Sequence, residues 1–427
     1  MIFSDFGTKL NTHSGILQLM DDLGKPLPKG VPSYQLGGGN PARICQVEKI
    51  YREEMEKLLA QKDGFENAVA RYDAPVGRIS FIEVLTEYLS KTYGWKITEK
   101  NIAVSNGSQS AFFYLFNLFS GTTTQNGVKT KKTILFPLVP EYVGYADQGV
   151  EKGTFVSVPS RCEYYDDNTF KYFIDFPAVE AYLAEHPEVG AMCVSRPTNP
   201  SGNVLTDTEI KKLSLLAEQY RIPLMVDNAY GLPFPNIVFT DDAKPYWDKN
   251  VILSMSLSKI GLPALRTGII IADEKIITAM SNINAIAALA SGSLGQILAE
   301  PLVKSGKLVT MGRDYVRPFY EHKSRQMQDW IHEEFAGLSY GIHKSEGAIF
   351  LWLLLNDLKI PTLELYSKLK ERGVITVPGE YFFFGLPDHT THPHYNKCLR
   401  LNYSRDEAEV HQAVKIIADV YRQNMRG

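Results

Sequence analysis

The segment Ser256–Leu257–Ser258–Lys259, with Arg266 seven residues further on, holds the side chains best suited to covalent chemistry. Apolar runs flank it, Val251–Ile252–Leu253 before and Gly268–Ile269–Ile270–Ile271 after, in the pattern of buried strands. A lysine delivered by a buried strand is desolvated, which disfavours its ammonium form and leaves a nucleophilic amine near neutral pH. Hydroxyls and a guanidinium beside it suit an anionic group such as a phosphate. Together they point to a Schiff-base lysine holding pyridoxal 5′-phosphate.

Other residues fit the same chemistry, each with a plainer alternative. Gly107–Ser108–Gln109 opens a helix directly after the strand-like run 101–104, where free backbone N–H groups bind a phosphate or form an ordinary capped turn. Asp227 ends the apolar run Leu224–Met225–Val226. A carboxylate there needs a partner, and either a pyridinium N–H or the following turn supplies one. Tyr230 and Asn199 can donate to a phenolate oxygen of such a ring, although Asn199–Pro200–Ser201–Gly202 is also a plain turn sequence. Tyr142, in Pro140–Glu141–Tyr142, can stack on a flat ring or simply pack. Arg400 is a lone arginine inside Leu399–Arg400–Leu401, satisfied by a bidentate carboxylate or by a structural ion pair. The run Gly37–Gly38–Gly39–Asn40–Pro41 permits close backbone approach or a turn. His389, His392 and His394 share a polar loop without acidic or cysteine companions at ligand spacing, so no metal site is expected there.

These residues need elements to position them. Short apolar strands are expected at 101–104, 133–136, 191–194, 222–226 and 251–255, with helical patterns between some of them, as over Asp207 to Tyr220. Helices are also expected over Glu48 to Gln61, Phe81 to Tyr93 and Gln109 to Leu118, and a loop over Gly24 to Tyr34. Strands alternating with helices predict an α/β chain with a mostly parallel sheet covered on both faces. Ligands of such sheets gather at the carboxyl ends of strands. Five segments aim Ser108, Tyr142, Asn199, Asp227 and Lys259 at that one edge. From about Val316 the pattern changes to a long helix over Tyr320 to Phe335, short strands at 349–355 and 399–403, and a final helix over Glu407 to Gln423. The expected organisation is a large cofactor-binding domain over 51–315 and a smaller α+β domain over 316–427, which an N-terminal segment, 1–50, joins.

The bulk composition narrows the function. At 427 residues with 44% hydrophobic content, the chain is long enough for such a two-domain core. A net charge of −3 and no basic tail make nucleic acid an unexpected partner. The longest apolar run, Ala348 to Leu355, is too short to span a bilayer, and the N-terminus lacks the features of a signal peptide. Four scattered cysteines, Cys45, Cys162, Cys193 and Cys398, suit a reducing cytoplasm.

The order Asn106–Gly107–Ser108, Tyr142, Asn199–Pro200–Ser201–Gly202, Asp227–Asn228–Ala229–Tyr230, Ser256 to Lys259, Arg266 and Arg400 resembles the class I/II aminotransferases of the type I pyridoxal-phosphate-dependent transferase fold. The resemblance covers nearly the whole chain. Longer stretches, His13–Ile16, Leu36–Ala42, Asn106–Phe119, Ser195–Val204, Asp227–Pro235 and His343–Leu353, are similar to the branch of that family acting on valine and pyruvate. It implies Lys259 as the Schiff-base residue, Asp227 on the pyridine nitrogen, Asn199 and Tyr230 on the ring oxygen, and Tyr142 stacked on the ring. It assigns the phosphate to Ser256, Ser258, Arg266, Gly107 and the amides of Ser108 and Gln109. Arg400 takes the substrate carboxylate with Gly38, Gly39 and Asn199 beside it. Tyr72 matches a tyrosine that reaches the neighbouring subunit's phosphate, which implies a homodimer. The loop from Lys259 to Arg266 is one residue shorter than in many relatives, yet Arg266 is the only basic residue between Ile260 and Asp273.

The implied reaction is a ping-pong exchange in which the freed lysine amine moves the α-proton. Relatives acting on dicarboxylates carry an extra arginine in the segment corresponding to 284–296, whereas Ala279 to Glu300 contains no Lys or Arg. A neutral donor is therefore expected, and the resemblance implies valine with pyruvate, giving alanine and 3-methyl-2-oxobutanoate. The alternatives are another neutral or aromatic (kynurenine-type) aminotransferase, or a C–S lyase, on the same fold. A silent pyridoxal-phosphate regulator lacks its usual basic DNA-binding segment here, and a nicotinamide dehydrogenase lacks a G-x-G-x-x-G after a strand.

Overall fold

The computed structural model describes residues 2–12, 14–24 and 30–425. His13 of the His13–Ile16 stretch, and residues 25–29 of the loop expected over 24–34, lie outside the described residues. In chain order the strands begin β1 (Tyr34–Gln35), β2 (Ile102–Ser105), β3 (Gly121–Gln125), β4 (Val128–Phe136), β5 (Phe155–Ser157), β6 (Arg161–Tyr164), β7 (Thr169–Phe173) and β8 (Val189–Ser195). They continue β9 (Leu224–Asp227), β10 (Val251–Ser256), β11 (Gly268–Ile271), β12 (Tyr340–His343), β13 (Phe350–Leu355), β14 (Val374–Ile375), β15 (Val377–Pro378) and β16 (Cys398–Asn402).

The larger sheet is eight-stranded, in the order β2-β11-β10-β9-β8-β4-β3, with β5 also beside β4. Its central pairs, β10 with β9, β9 with β8 and β8 with β4, are parallel. These strands are apolar and buried on both faces, as helices packed on each side require. Two strands depart from the parallel pattern for local reasons. β11 runs antiparallel to β10 because residues 257–267 turn straight back without a crossover helix. β3 and β4 form a hairpin, so the strand expected at 133–136 starts eight residues before its end, at Val128. The turn is Asn126–Gly127, both with positive φ, the backbone a two-residue hairpin demands. Only the second half of β4 is buried; the first half projects into solvent.

Register aligns the functional edge. Ser195 lies opposite Asp227, Asp227 opposite Ser254, and Ser256 opposite Gly268, which in turn faces Ser105. The ends of β8, β9, β10 and β2 are therefore level. The helix Ser108–Phe119 starts three residues after β2.

A six-stranded sheet, β15-β16-β13-β12-β7-β6, gathers the C-terminal strands. The hairpin β6–β7 comes from within 51–315, yet it pairs there because Phe170 and Tyr172 pack against His343 and His394. All of β13 is buried. Burying one such Leu or Phe stabilises by about 1.5–3 kcal/mol, so this strand anchors the sheet. β1 pairs with β14, which brings the N-terminal segment onto this part of the molecule. The helix Gly15–Gly24 is tied to the helix Thr362–Glu371 through Asp22, which accepts from Tyr366 and Lys370 at 2.5 Å each. Among the described residues no helix is long and apolar enough to cross a membrane.

Candidate active site

At the level strand ends a cavity of about 580 Å³ opens, and all five strand-end residues, Ser108, Tyr142, Asn199, Asp227 and Lys259, line it. Gln109, Tyr230, Ser256, Ser258, Arg266, Arg400 and Gly39 share the same wall. Gly107 and Gly38 are not among the residues that line it, and Tyr72 lies outside it with 84% of its surface exposed.

Lys259 follows β10 by three residues and points its amine across the cavity, where Nζ donates to the Gly39 carbonyl at 2.5 Å. Burial, reinforced by the positive charges of Arg400 and Arg266, lowers its pKa to about 8, against the opposing pull of Asp227. Nζ also sits 5.4 Å from the centre of the Tyr230 ring.

Asp227 closes β9. Its carboxylate accepts from the Tyr145 hydroxyl and, at 3.0 Å, from the Ala229 N–H. Burial raises its pKa, opposed by these bonds and by Lys259. Among the described residues no cation lies within ion-pair distance of it, so a buried anion faces the cavity with neutral donors only. A pyridinium N–H fits that vacancy of charge.

One end of the cavity is built for an anion. The first turn of the helix Ser108–Phe119 presents backbone N–H groups without intrahelical acceptors. The hydroxyls of Ser108, Ser256 and Ser258 surround it, and Arg266 Nη1 reaches Ser258 Oγ at 3.4 Å. The short loop returns the guanidinium there through a 3-10 turn, Pro263–Leu265, after which Arg266 takes a left-handed φ of 47°. Two glycines make room. A Cβ at Gly107, whose φ is 86°, would sit 2.1 Å from Arg266 Nη2, and one at Gly268 would sit 2.6 Å from the Ser108 nitrogen. No carboxylate is among the residues lining this end, so the donor set fits a phosphate.

Arg400, on β16, is 1% exposed and forms the other positive end. It donates to Asn199 Oδ1 at 2.9 Å and to the Gly37 carbonyl at 2.5 Å, and it lies 4.2 Å from the centre of the Phe350 ring. Among the described residues its Nε has no hydrogen-bond partner. Burial lowers its pKa to about 10. A guanidinium whose acceptors among the described residues are all neutral can take a carboxylate. Gly38 contributes its carbonyl to Asn402, at 2.5 Å.

Other residues of the site carry weaker marks in the sequence. Tyr145 completes Tyr142-x-x-Tyr145 on a 3-10 turn and packs edge-on against Tyr142, with centroids 5.1 Å apart. Ile16, Leu19 and Met20 line the cavity from the helix Gly15–Gly24, at the i, i+3, i+4 spacing of one helical face. Glu141 and Ser195 bond to each other beneath the wall. In the histidine loop, both ring nitrogens of His394 are taken by phenols, Nε2 by Tyr164 at 2.7 Å and Nδ1 by Tyr172 at 2.6 Å. In the segment 284–296, Asn284 donates to the Pro75 carbonyl and Gln296 accepts from the Arg78 N–H, both at 2.8 Å.

Comparison with known proteins places this geometry in context. The family described as "Aminotransferase class I and II" matches residues 38–417. Valine–pyruvate aminotransferase of Escherichia coli K12 is 45% identical over 419 residues, covering 98% of each chain. A crystal structure of a putative amino-acid aminotransferase from Psychrobacter arcticum 273-4 superposes with a TM-score of 0.95 at 44% identity, covering 99% of each chain. That of valine-pyruvate aminotransferase from Salmonella typhimurium LT2 gives 0.85 at 43% identity, covering 96% of this chain and all of that one.

Proposed function

Since the chain belongs to the class I and II aminotransferases and has their type I fold, we propose that it moves an amino group between valine and pyruvate, giving alanine and 3-methyl-2-oxobutanoate. The observation that carries this reading is one cavity holding a lysine amine lowered to about 8 beside a buried guanidinium whose acceptors among the described residues are all neutral.

Pyridoxal 5′-phosphate is the cofactor the site fits; when bound, it supplies an electron sink at the amino acid's α-carbon and carries the amino group between the two half-reactions. Lys259 would hold it, and its amine stands where it can take the α-proton from the substrate, a contribution of roughly 10²–10⁴ in rate. Asp227 would keep the ring nitrogen protonated, and Tyr145 holds the Asp227 carboxylate in place. Asn199 and Tyr230, which line the cavity, would donate to the ring oxygen, and Tyr142 would pack on the ring. Ser108, Gln109, Ser256, Ser258 and Arg266 hold the phosphate around Gly107. Arg400, with Asn199 and the backbone at Gly38 and Gly39, orients the substrate carboxylate so that the Cα–H bond meets the lysine.

Ile16, Leu19 and Met20 offer the substrate side chain an apolar surface with no counter-charge, which supports a small neutral donor. One methylene changes selectivity by only about 1–3 kcal/mol, so alanine and 2-aminobutyrate are expected to overlap with valine. The exposed Tyr72 supports a homodimer in which this side chain reaches the other subunit's phosphate. Four unpaired cysteines suit a cytoplasmic enzyme.

A coupled assay of alanine formation from pyruvate across amino donors tests the specificity. Valine ranks among the best donors on this reading; valine among the poorest removes it. Pyruvate and ammonia released from cystathionine without an oxo-acid acceptor would instead identify a C–S lyase.

A further inference from the structure

Glu141 is a fully buried carboxyl group that the chemistry above does not use. Its Oε1 accepts from the Tyr142 N–H at 2.7 Å and from Ser195 Oγ at 2.6 Å, and its Oε2 accepts from the Ser195 N–H at 3.0 Å. Its own N–H donates to the Phe382 carbonyl at 2.9 Å. Among the described residues no Lys, Arg or His lies within ion-pair distance of it. An uncompensated buried carboxyl group is costly, so such a residue needs a reason in its contacts.

Those contacts all lead to the site. Tyr142 covers the cavity from the loop after β4. Ser195 ends β8 directly opposite Asp227, and the next residue, Arg196, donates its N–H to the Asp227 carbonyl at 2.8 Å. The Phe382 ring lies 5.5 Å from the Arg400 guanidinium. One side chain thus joins the ring wall to the strand that presents Asp227, while its backbone touches the floor beneath Arg400. The residue type matters as well. Each carboxyl oxygen accepts from a backbone N–H, so a glutamine in either orientation sets its own NH₂ against one of them. Burial pushes the Glu141 carboxyl up to about 8, and the charge of Asp227 acts in the same direction.

We propose that Glu141 is a positioning residue for amino transfer: its carboxyl group fastens the Tyr142 backbone to the end of β8 and so sets the Tyr142 ring and Asp227 against the cofactor ring. The proposal rests on reading the cavity as a pyridoxal-phosphate site.

The test compares Glu141→Gln with the parent in the cofactor-loaded enzyme and in pyridoxal-phosphate titrations of stripped protein. Loss of one buried hydrogen bond, which leaves a backbone N–H facing an NH₂, is expected to weaken cofactor binding about tenfold. The visible circular dichroism of the bound cofactor changes amplitude, because the ring is less firmly set. kcat for valine falls while KM changes less than threefold, since Arg400 is untouched. A merely structural role moves the thermal midpoint and leaves the visible dichroism and kcat at parental values; that result overturns the proposal, as does a variant identical to the parent. If Glu141→Gln does not fold, Ser195→Ala removes the hydroxyl bond from the opposite side and is read in the same way. A parent that develops no visible cofactor band on addition of pyridoxal phosphate overturns the underlying reading instead.

Discussion

Arg400 and Lys259 owe their chemistry to the same cause, burial of a cation without a matched anion. Burial lowers both, the lysine to about 8 and the arginine to about 10, so the lysine becomes a usable base while the arginine keeps its charge. Replacing Arg400 by lysine keeps a positive charge and loses the planar fork. The expected cost is about 2–5 kcal/mol, a fall in kcat/KM of roughly 30-fold to several thousandfold, seen mainly as a higher KM for both amino and oxo acids. Steady-state kinetics with valine and pyruvate check it; an unchanged KM would remove Arg400 from carboxylate binding. Such residues are legible in a bare sequence because a charged side chain inside an apolar run demands an explanation. Tyr145 and Glu141 are not legible in that way. A tyrosine three residues from another reads as packing, and a glutamate beside Pro140 reads as surface, until the chain is folded and both are found buried against Asp227 and Ser195.

At the scale of elements, helix periodicity was the clearest signal. The helices Asp207–Tyr220 and Glu407–Gln423 have the bounds that spacing predicts, the first closed by a Thr206–Glu209 capping box and the second by Asp406. Strand direction was harder to read. β11 is as apolar as the parallel strands β8, β9 and β10, and only the missing crossover helix betrays that it runs antiparallel to both of its neighbours. The Asn126–Gly127 turn carried a hairpin signal, but the polar first half of β4 masked the strand. The β6–β7 hairpin joins the C-terminal sheet through long-range aromatic contacts that no local pattern encodes. That sheet, with the histidine loop packed on it, also carries a pH dependence. Burial lowers His343 and His394 to about 3 and His392 to about 4, from an ordinary 6.5. Between those values the unfolded chain binds protons that the folded chain does not, so stability falls as pH drops from 6.5 toward 4. Denaturant unfolding across that range should show the decline, and His394→Gln should make it shallower; a slope unaltered by the substitution would contradict the assignment.

The whole molecule assembles its site from distant parts. The large sheet supplies Lys259, Asp227 and the anion cradle, the six-stranded sheet supplies Arg400, and the N-terminal helix supplies an apolar wall held by Asp22. Tyr72, the side chain proposed to reach the other subunit's phosphate, is exposed in the single chain, as are the large apolar side chains Ile79, Ile286 and Leu289. Sedimentation should therefore give a mass near twice 48.0 kDa, and Tyr72→Ala should weaken pyridoxal-phosphate binding several-fold without dissociating the dimer. A monomer, or an unchanged cofactor affinity, would contradict that arrangement. The central claim is that Lys259 carries the cofactor, and borohydride trapping followed by peptide mapping addresses it most directly. The account predicts one reduced pyridoxyl label, on the peptide that contains Lys259. A label on any other lysine, or none after loading with pyridoxal phosphate, would contradict it.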